Sequence, residues 1–432
     1  MARVKSYLQE AYGLTQNPFP ATAIARWGSS DERENGLLFN SDVCPREYDE
    51  AVDKFIVGPI DSGSKFHFLW SLGEGEEARG FGKTVLLRHL SRAINADLGR
   101  ELLEKHGFEQ EEARNTPVLA AMGTFNKTDI TSLSAVCLEQ VRYLAQVDPS
   151  TGSSPLMLLR QHLVKSLESR TGAGDEEAEA EAIRKKIKDT DLSLTGKTLG
   201  SPDRKFVDYF ANANWSGIIT LVRDADQKNG FDLLSTSFVV ARAAGVKRIF
   251  LFIDEVEAFA SSDTPKKRRS MEVERFRDIA IETQPFGDMA SYVLTMHPAA
   301  ARSIDEFWSL ARLPKIDHLS RQSQRITVIL NPLDEIADVE TLITSYLKTF
   351  RQSDISVEPI HPFDRTVLRV LLEHSGGRPG PMLKFAHEII EEGARNQWKR
   401  IGDSEARQIA EDDRDAPELP MRTKRRGIGA ID

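Results

Sequence analysis

The chain has 432 residues, a formal net charge of −9 and two cysteines, Cys44 and Cys137. That cysteine count excludes a disulfide framework and a cysteine-ligated zinc site, and it suits a reducing compartment. The acidic balance excludes a general polyanion binder. No His-Glu-x-x-His spacing marks a protein-ligated metal centre, and no apolar run approaches the roughly 18 residues of a membrane span, so a soluble cytoplasmic protein of two or three domains is expected.

In chain order, residues 1–64 are expected as an N-terminal arm with helices, including an amphipathic helix from Arg46 to Phe55. The apolar run Phe66-His67-Phe68-Leu69-Trp70-Ser71-Leu72 predicts a strand. It enters the glycine-rich loop Gly73-Glu74-Gly75-Glu76-Glu77-Ala78-Arg79-Gly80-Phe81-Gly82, followed by Lys83-Thr84 and the apolar helix start Val85-Leu86-Leu87. Strand, loop and helix in this order describe a phosphate cradle, in which backbone N–H groups of the loop and helix N-terminus point at phosphates. Lys83 would neutralise β/γ-phosphate charge and the Thr84 hydroxyl would ligate Mg²⁺. The loop departs from the usual spacing, which calls for glycine where Glu77 stands. It reads as an expanded loop in which Gly80 and Gly82 permit the tight last turn, and Glu74, Glu76 and Glu77 face solvent. The expected ligands are ATP or ADP with Mg²⁺, bound by Gly80, Gly82, Lys83, Thr84 and Val85. A second Gly-Lys-Thr, Gly196-Lys197-Thr198, has no apolar strand before it.

A strand is predicted at 117–125, and an extra helical insertion at about 149–230. The insertion contains the charged helix Gly174 to Lys186, with glutamates four residues ahead of basic residues. The next apolar run, Arg248-Ile249-Phe250-Leu251-Phe252-Ile253-Asp254-Glu255, suits a strand buried on both faces of a parallel sheet. Ligands bind at the C-terminal edge of such a sheet. Asp254 is expected to hold Mg²⁺, directly or through water, and Glu255 to polarise the attacking water. Strands at 290–296 and 326–330 complete a parallel α/β sheet flanked by helices, in a core of residues 65–333. Helical patterns such as Val339 to Leu347 predict a lid over 334–401, and 402–432 reads as a charged tail. Two basic clusters, Lys266-Lys267-Arg268-Arg269 and Arg422-Thr423-Lys424-Arg425-Arg426, are solvated runs unless DNA is a partner, and neither has interleaved aromatics.

The order of these features resembles the AAA+ P-loop ATPases. It is nearest to the prokaryotic branch with general-secretion, transposition and origin-recognition ATPases. The resemblance rests on Gly13-Leu14-Thr15-Gln16-Asn17-Pro18-Phe19, the P-loop, the Asp-Glu strand, Gln324-Arg325-Ile326-Thr327 and Gly376-Gly377-Arg378-Pro379. It implies that the Asn-Pro-Phe segment lies near the nucleotide base. It also implies a polar sensor at the end of the 290–296 strand, either His297 or Thr295. An arginine, Arg325 or else Arg321, would reach a neighbour's site, and Arg378 would contact the γ-phosphate from the lid. The implied protein hydrolyses Mg-ATP to switch or drive a partner-dependent, oligomeric assembly, with DNA transactions or anti-invader defence as the setting. A different class is a nucleotide-dependent scaffold with little or no hydrolysis. A phosphotransferase is a third reading, for which the sequence shows no acceptor pocket.

Overall fold

The computed structural model describes residues 2–23, 25, 31–36, 38–72, 79–126, 129–148, 151–168, 176–261, 265–314, 321–353 and 356–415. Glu74, Glu76, Glu77, the 422–426 cluster and the Arg321 side chain lie outside them. The chain divides into two compact units, one of Ile24–Pro332 and one of Met1–Ala23 with Leu333–Asp432.

The first unit is built on five strands: β1 (Phe66–Ser71), β2 (Val118–Thr124), β3 (Arg248–Asp254), β4 (Ala290–Met296) and β5 (Thr327–Leu330). They form one sheet in the order β2-β3-β4-β1-β5, and every pairing is parallel. The register sets Trp70 of β1 beside Met296 of β4, and Thr124 of β2 beside Asp254 of β3. The strand ends that carry the two key motifs therefore emerge on one edge, with the end of β4 between them.

The near-continuous apolar strands follow from burial on both faces. In β3, Phe250 and Phe252 join one core cluster, with Leu86, Leu87, Leu90 and Ile94 of the helix α1 (Lys83–Asp97). Ile249, Leu251 and Ile253 point the other way, into a cluster with Val136, Leu138 and Val141 of α2 (Leu133–Ala145) and Phe238 and Val240 of α3 (Gly230–Ala243). Successive side chains alternate between faces, so a strand covered on both sides needs no polar positions.

Between α2 and α3 the chain forms helices at Pro155–Glu168, Glu176–Leu192, Arg204–Ala211 and Trp215–Asp224. Their apolar residues, among them Leu159, Ile183, Phe206 and Ile218, belong to the same core cluster as the sheet. The charged helix predicted near 174–186 is thus not solvated all round, because Ala180, Ile183 and Ile187 form a buried stripe at helical spacing. Lys197–Thr198 forms a two-residue parallel pairing with Thr283–Gln284, so the second Gly-Lys-Thr opens no helix. Lys266, Lys267 and Arg268 stand exposed at the start of the helix Lys266–Arg277.

The second unit is helical, with helices at Ala2–Glu10, Ile336–Thr349, Arg365–Ser375, Pro379–Asn396 and Asp403–Asp415. Residues 1–23 belong with it, whereas an N-terminal arm of 1–64 was expected. Phe19 is fully buried and stacks at 6.0 Å on both Tyr346 and Phe363, and the Tyr12 hydroxyl donates to the Trp398 carbonyl at 2.8 Å. Asn17 donates to the His387 carbonyl at 3.0 Å. The Asn-Pro-Phe segment is therefore core of this unit. Residues 45–57 stay with the sheet, where Ala51, Val52, Phe55 and Ile56 pack in the cluster that holds α1. The molecule as observed has an α/β architecture, with a parallel five-stranded sheet flanked by helices, a helical insertion and a helical unit.

Candidate nucleotide site

The site is assembled from the C-terminal ends of β1, β3 and β4. β1 ends at Ser71 and α1 begins at Lys83, with Gly82 as N-cap. Gly80 and Gly82 have φ of 80° and 90°, the left-handed region that favours glycine. A Cβ placed on Gly82 would meet nothing within 4 Å, so glycine is needed there for backbone conformation and not for lack of room. The N-cap Gly82 has no side chain with which to cap the first turn of α1. The leading N–H groups of a helix suit an anion. Val85 is half-buried in that turn and packs beside Gly36.

The Lys83 ammonium donates to the Ser71 hydroxyl at 2.7 Å. Burial lowers its pKa, and the carboxylates Glu257, Asp254 and Glu255 oppose that shift, Glu257 most strongly. The Thr84 hydroxyl donates to Asp254 Oδ2 at 2.5 Å. Asp254 is 2% exposed, and its Oδ1 accepts from the Thr295 hydroxyl at 2.8 Å and from the Glu255 N–H at 3.0 Å. The Glu255 N–H also reaches the Thr295 hydroxyl oxygen at 3.0 Å. These bonds hold Glu255 at a φ of 52°, an unusual conformation for a residue with a side chain. Strain of this kind costs about 1–3 kcal/mol and persists only where surroundings over-determine it. Burial, then the charges of Asp254 and Glu257, push the Glu255 carboxyl up to about 7.

His297 follows β4 and is 8% exposed. Its Nε2 lies 3.9 Å from Glu257 Oε1, on the short helix α4 (Val256–Ser261). Burial raises the Glu257 carboxyl, and its Oε2 is buried without a hydrogen-bond partner among the described residues.

Of the residues singled out in the sequence, Lys83, Thr84, Asp254 and Glu255 stand at this one edge, with Thr295 and His297 beside them. Arg325 does not join them. It is exposed just before β5, at the opposite edge of the parallel sheet. Arg378 belongs to the helical unit, where it is the N-cap of Pro379–Asn396 and its Nε donates to the Ser375 carbonyl at 3.3 Å. Sequence reasoning passed over Ser71 and Glu257. Ser71 carried a weak signal as a polar residue ending an apolar strand, and Glu257 is a third acid in the run Asp254 to Glu257.

The donor set fits magnesium with a nucleotide. Among the described residues no group of three or more His, Cys, Asp or Glu side chains is placed to hold a metal ion. Mg²⁺ does not need one, since it uses one or two protein oxygens and takes the rest from phosphate and water. Thr84 and Asp254, already 2.5 Å apart, provide such a pair. Among the described residues no helix is long and apolar enough to cross a membrane.

No protein-family model matches the chain, and no curated protein matches it in sequence. Among solved structures it is similar to the ORC2 protein of Aeropyrum pernix, solved as ADPNP–ADP complexes. That likeness has 13% identity and a TM-score of 0.43, and covers 87% of this chain and 69% of the other. It is also similar to Cdc6p of Pyrobaculum aerophilum, at 12% identity and a TM-score of 0.35, over 84% and 68% of the two chains.

Proposed function

We propose that this chain is an AAA+-type ATPase that binds and hydrolyses Mg-ATP. The observation that supports it most is the joining of Thr84 to Asp254 across two strand ends, with Lys83 and Glu255 as their immediate neighbours in sequence. In this reading the α1 N-terminus, Gly80, Gly82 and Val85 cradle the phosphates, and Lys83 leaves Ser71 to neutralise them. Thr84 and Asp254 hold Mg²⁺, which would supply charge neutralisation at the phosphate oxygens. Glu255 accepts a proton from the attacking water. A carboxyl near neutrality suits that task, because a general base works best with a pKa close to the working pH.

Arg325 stands exposed at the sheet edge opposite its own chain's carboxylates, and it is proposed to complete a neighbouring subunit's site, in an assembly of copies or with a partner protein. Such an arginine adds about 10³–10⁵ in rate. Arg378 is proposed to read the γ-phosphate. DNA is proposed as the regulatory partner, with Lys266, Lys267 and Arg268 as the first residues to test. Hydrolysis can act on such a partner only if the ATP and ADP forms bind it with different affinity.

The direct test is ATP turnover by the purified chain, alone and with single- or double-stranded DNA, with Lys83→Ala as control. Turnover that DNA stimulates and Lys83→Ala abolishes supports the reading. Bound ATP with no turnover in any condition would instead make the chain a nucleotide-dependent scaffold.

A further inference from the structure

The helical insertion contains an open cavity of about 790 Å³, bordered by the Arg204–Ala211 and Trp215–Asp224 helices and the first two turns of α3. That volume is typical of ligand sites. Its apolar lining includes Leu199, Leu221 and Leu233, which also pack with the core cluster of the insertion. Its acidic lining is organised by one buried hydroxyl. Thr236 is 1% exposed, accepts from the Asp203 N–H at 2.9 Å and donates to the Asp232 carbonyl at 3.0 Å. Asp203 and Asp232 are thereby tied together at the cavity. Asp203 Oδ1 accepts from the Phe206 N–H at 2.8 Å, and neither carboxylate has an ion pair among the described residues. A third acid of the lining, Asp224, is answered by Arg223 at 2.8 Å, and Lys205, the one basic residue of the lining, pairs with none of them. The cavity therefore joins an excess of negative charge to an apolar surface. A lysine or arginine side chain has the complementary form, an apolar stem with a cationic head. No group of three or more ligating side chains among the described residues could hold a metal ion, which favours an organic cation. Ser201 and Asn229 also border the cavity, with side chains able to bond a peptide backbone.

We propose that this cavity docks a partner protein through an exposed segment that carries an arginine or lysine. The charged head meets Asp203 and Asp232, the stem lies on Leu199, Leu221 and Leu233, and Ser201 and Asn229 bond the backbone of the segment. The insertion is then a binding module as well as part of the core. The docking site does not depend on the nucleotide reading.

The test is selection of a random heptapeptide phage library on the full-length protein, followed by fluorescence anisotropy of the enriched peptides made synthetically. A double variant, Asp203→Asn with Asp232→Asn, removes both charges and keeps the helix cap, since asparagine caps as well as aspartate. Thr220→Trp leaves every charge in place and puts a bulky side chain into the cavity from the Trp215–Asp224 helix. Thermal melts confirm that the variants are folded, and each tests the site without the other. Enriched peptides are expected to carry a basic residue and to lose about tenfold in affinity for the double variant. A similar loss is expected for Thr220→Trp. Several results overturn the proposal: no enriched peptide, a basic residue that alanine replaces without loss, or parental affinity in the double variant. Parental affinity in Thr220→Trp also overturns it, because attraction by the chain's net charge of −9 would then explain the binding without the cavity. Arginine amide that binds as tightly as the peptides would make the occupant a small organic cation and likewise overturn protein docking.

Discussion

Thr295→Val isolates one hydroxyl with little change of shape. Thr295 is fully buried, donates to Asp254 Oδ1 at 2.8 Å and accepts from the Glu255 N–H at 3.0 Å. A hydrogen bond to a charged group is worth about 1.5–3 kcal/mol. The Glu255 N–H keeps its other acceptor, Asp254 Oδ1 at 3.0 Å, so the turn is not orphaned. The variant should therefore fold and lose about 2 kcal/mol of stability in urea. Its larger effect should be on magnesium, since Asp254 loses one of the three bonds that fix its rotation. Removing such a supporting partner costs about 10–100-fold in metal affinity or activity. A Mg²⁺ titration of hydrolysis at saturating ATP reads this as a higher half-saturating concentration, while ATP binding in EDTA stays near the parent value. Thr295→Ser restores the hydroxyl and should recover most of the loss. A valine variant with parental magnesium dependence, or a serine variant as impaired as valine, would refute the reasoning.

Two further predictions concern the scaffold. Burial holds the His67 imidazole down from the usual 6.5 to about 4, so the folded state takes up its proton later than the unfolded state. The sign follows: this contribution is complete above pH 6.5 and is lost as pH falls toward 4, for a total of about 3 kcal/mol. Urea unfolding across that window should show the decline, and His67→Phe should flatten it; equal slopes in both chains would contradict the assignment. Gly230 lies where α3 crosses α2, and a Cβ there would stand 1.8 Å from the Ser134 carbonyl oxygen. Because backbone cannot yield as a side chain can, Gly230→Ala should cost about 3 kcal/mol, and a melt within 1 °C or so of the parent would show that the helices can separate cheaply.

The strands were legible because each is buried on both faces and so writes a continuous apolar run, as Ile249 to Ile253 does. The turn from β1 into α1 was legible because strand, glycines and Lys83-Thr84 are contiguous, and the place of Asp254-Glu255 because it closes such a strand. What joins these motifs was legible only as a Mg²⁺ shared by Thr84 and Asp254, not as direct bonds. The bonds of Asp254 to Thr84 and Thr295 depend on which strands are neighbours, and they span 170 and 41 positions of sequence. His297 stands out as a polar strand-end residue, but nothing local singles out Glu257, the acid 3.9 Å from it. The placing of residues 1–23 had no local sign at all. It depends on contacts such as the Tyr7 hydroxyl with the Gln397 carbonyl, 390 positions away.

The measurement closest to the central claim is single-turnover hydrolysis of bound ATP by the parent chain and by Glu255→Gln. Glutamine keeps the size of the side chain and removes the base, so ATP should still bind while its hydrolysis falls by about 10²–10⁴. Hydrolysis at the parental rate in Glu255→Gln would contradict the account.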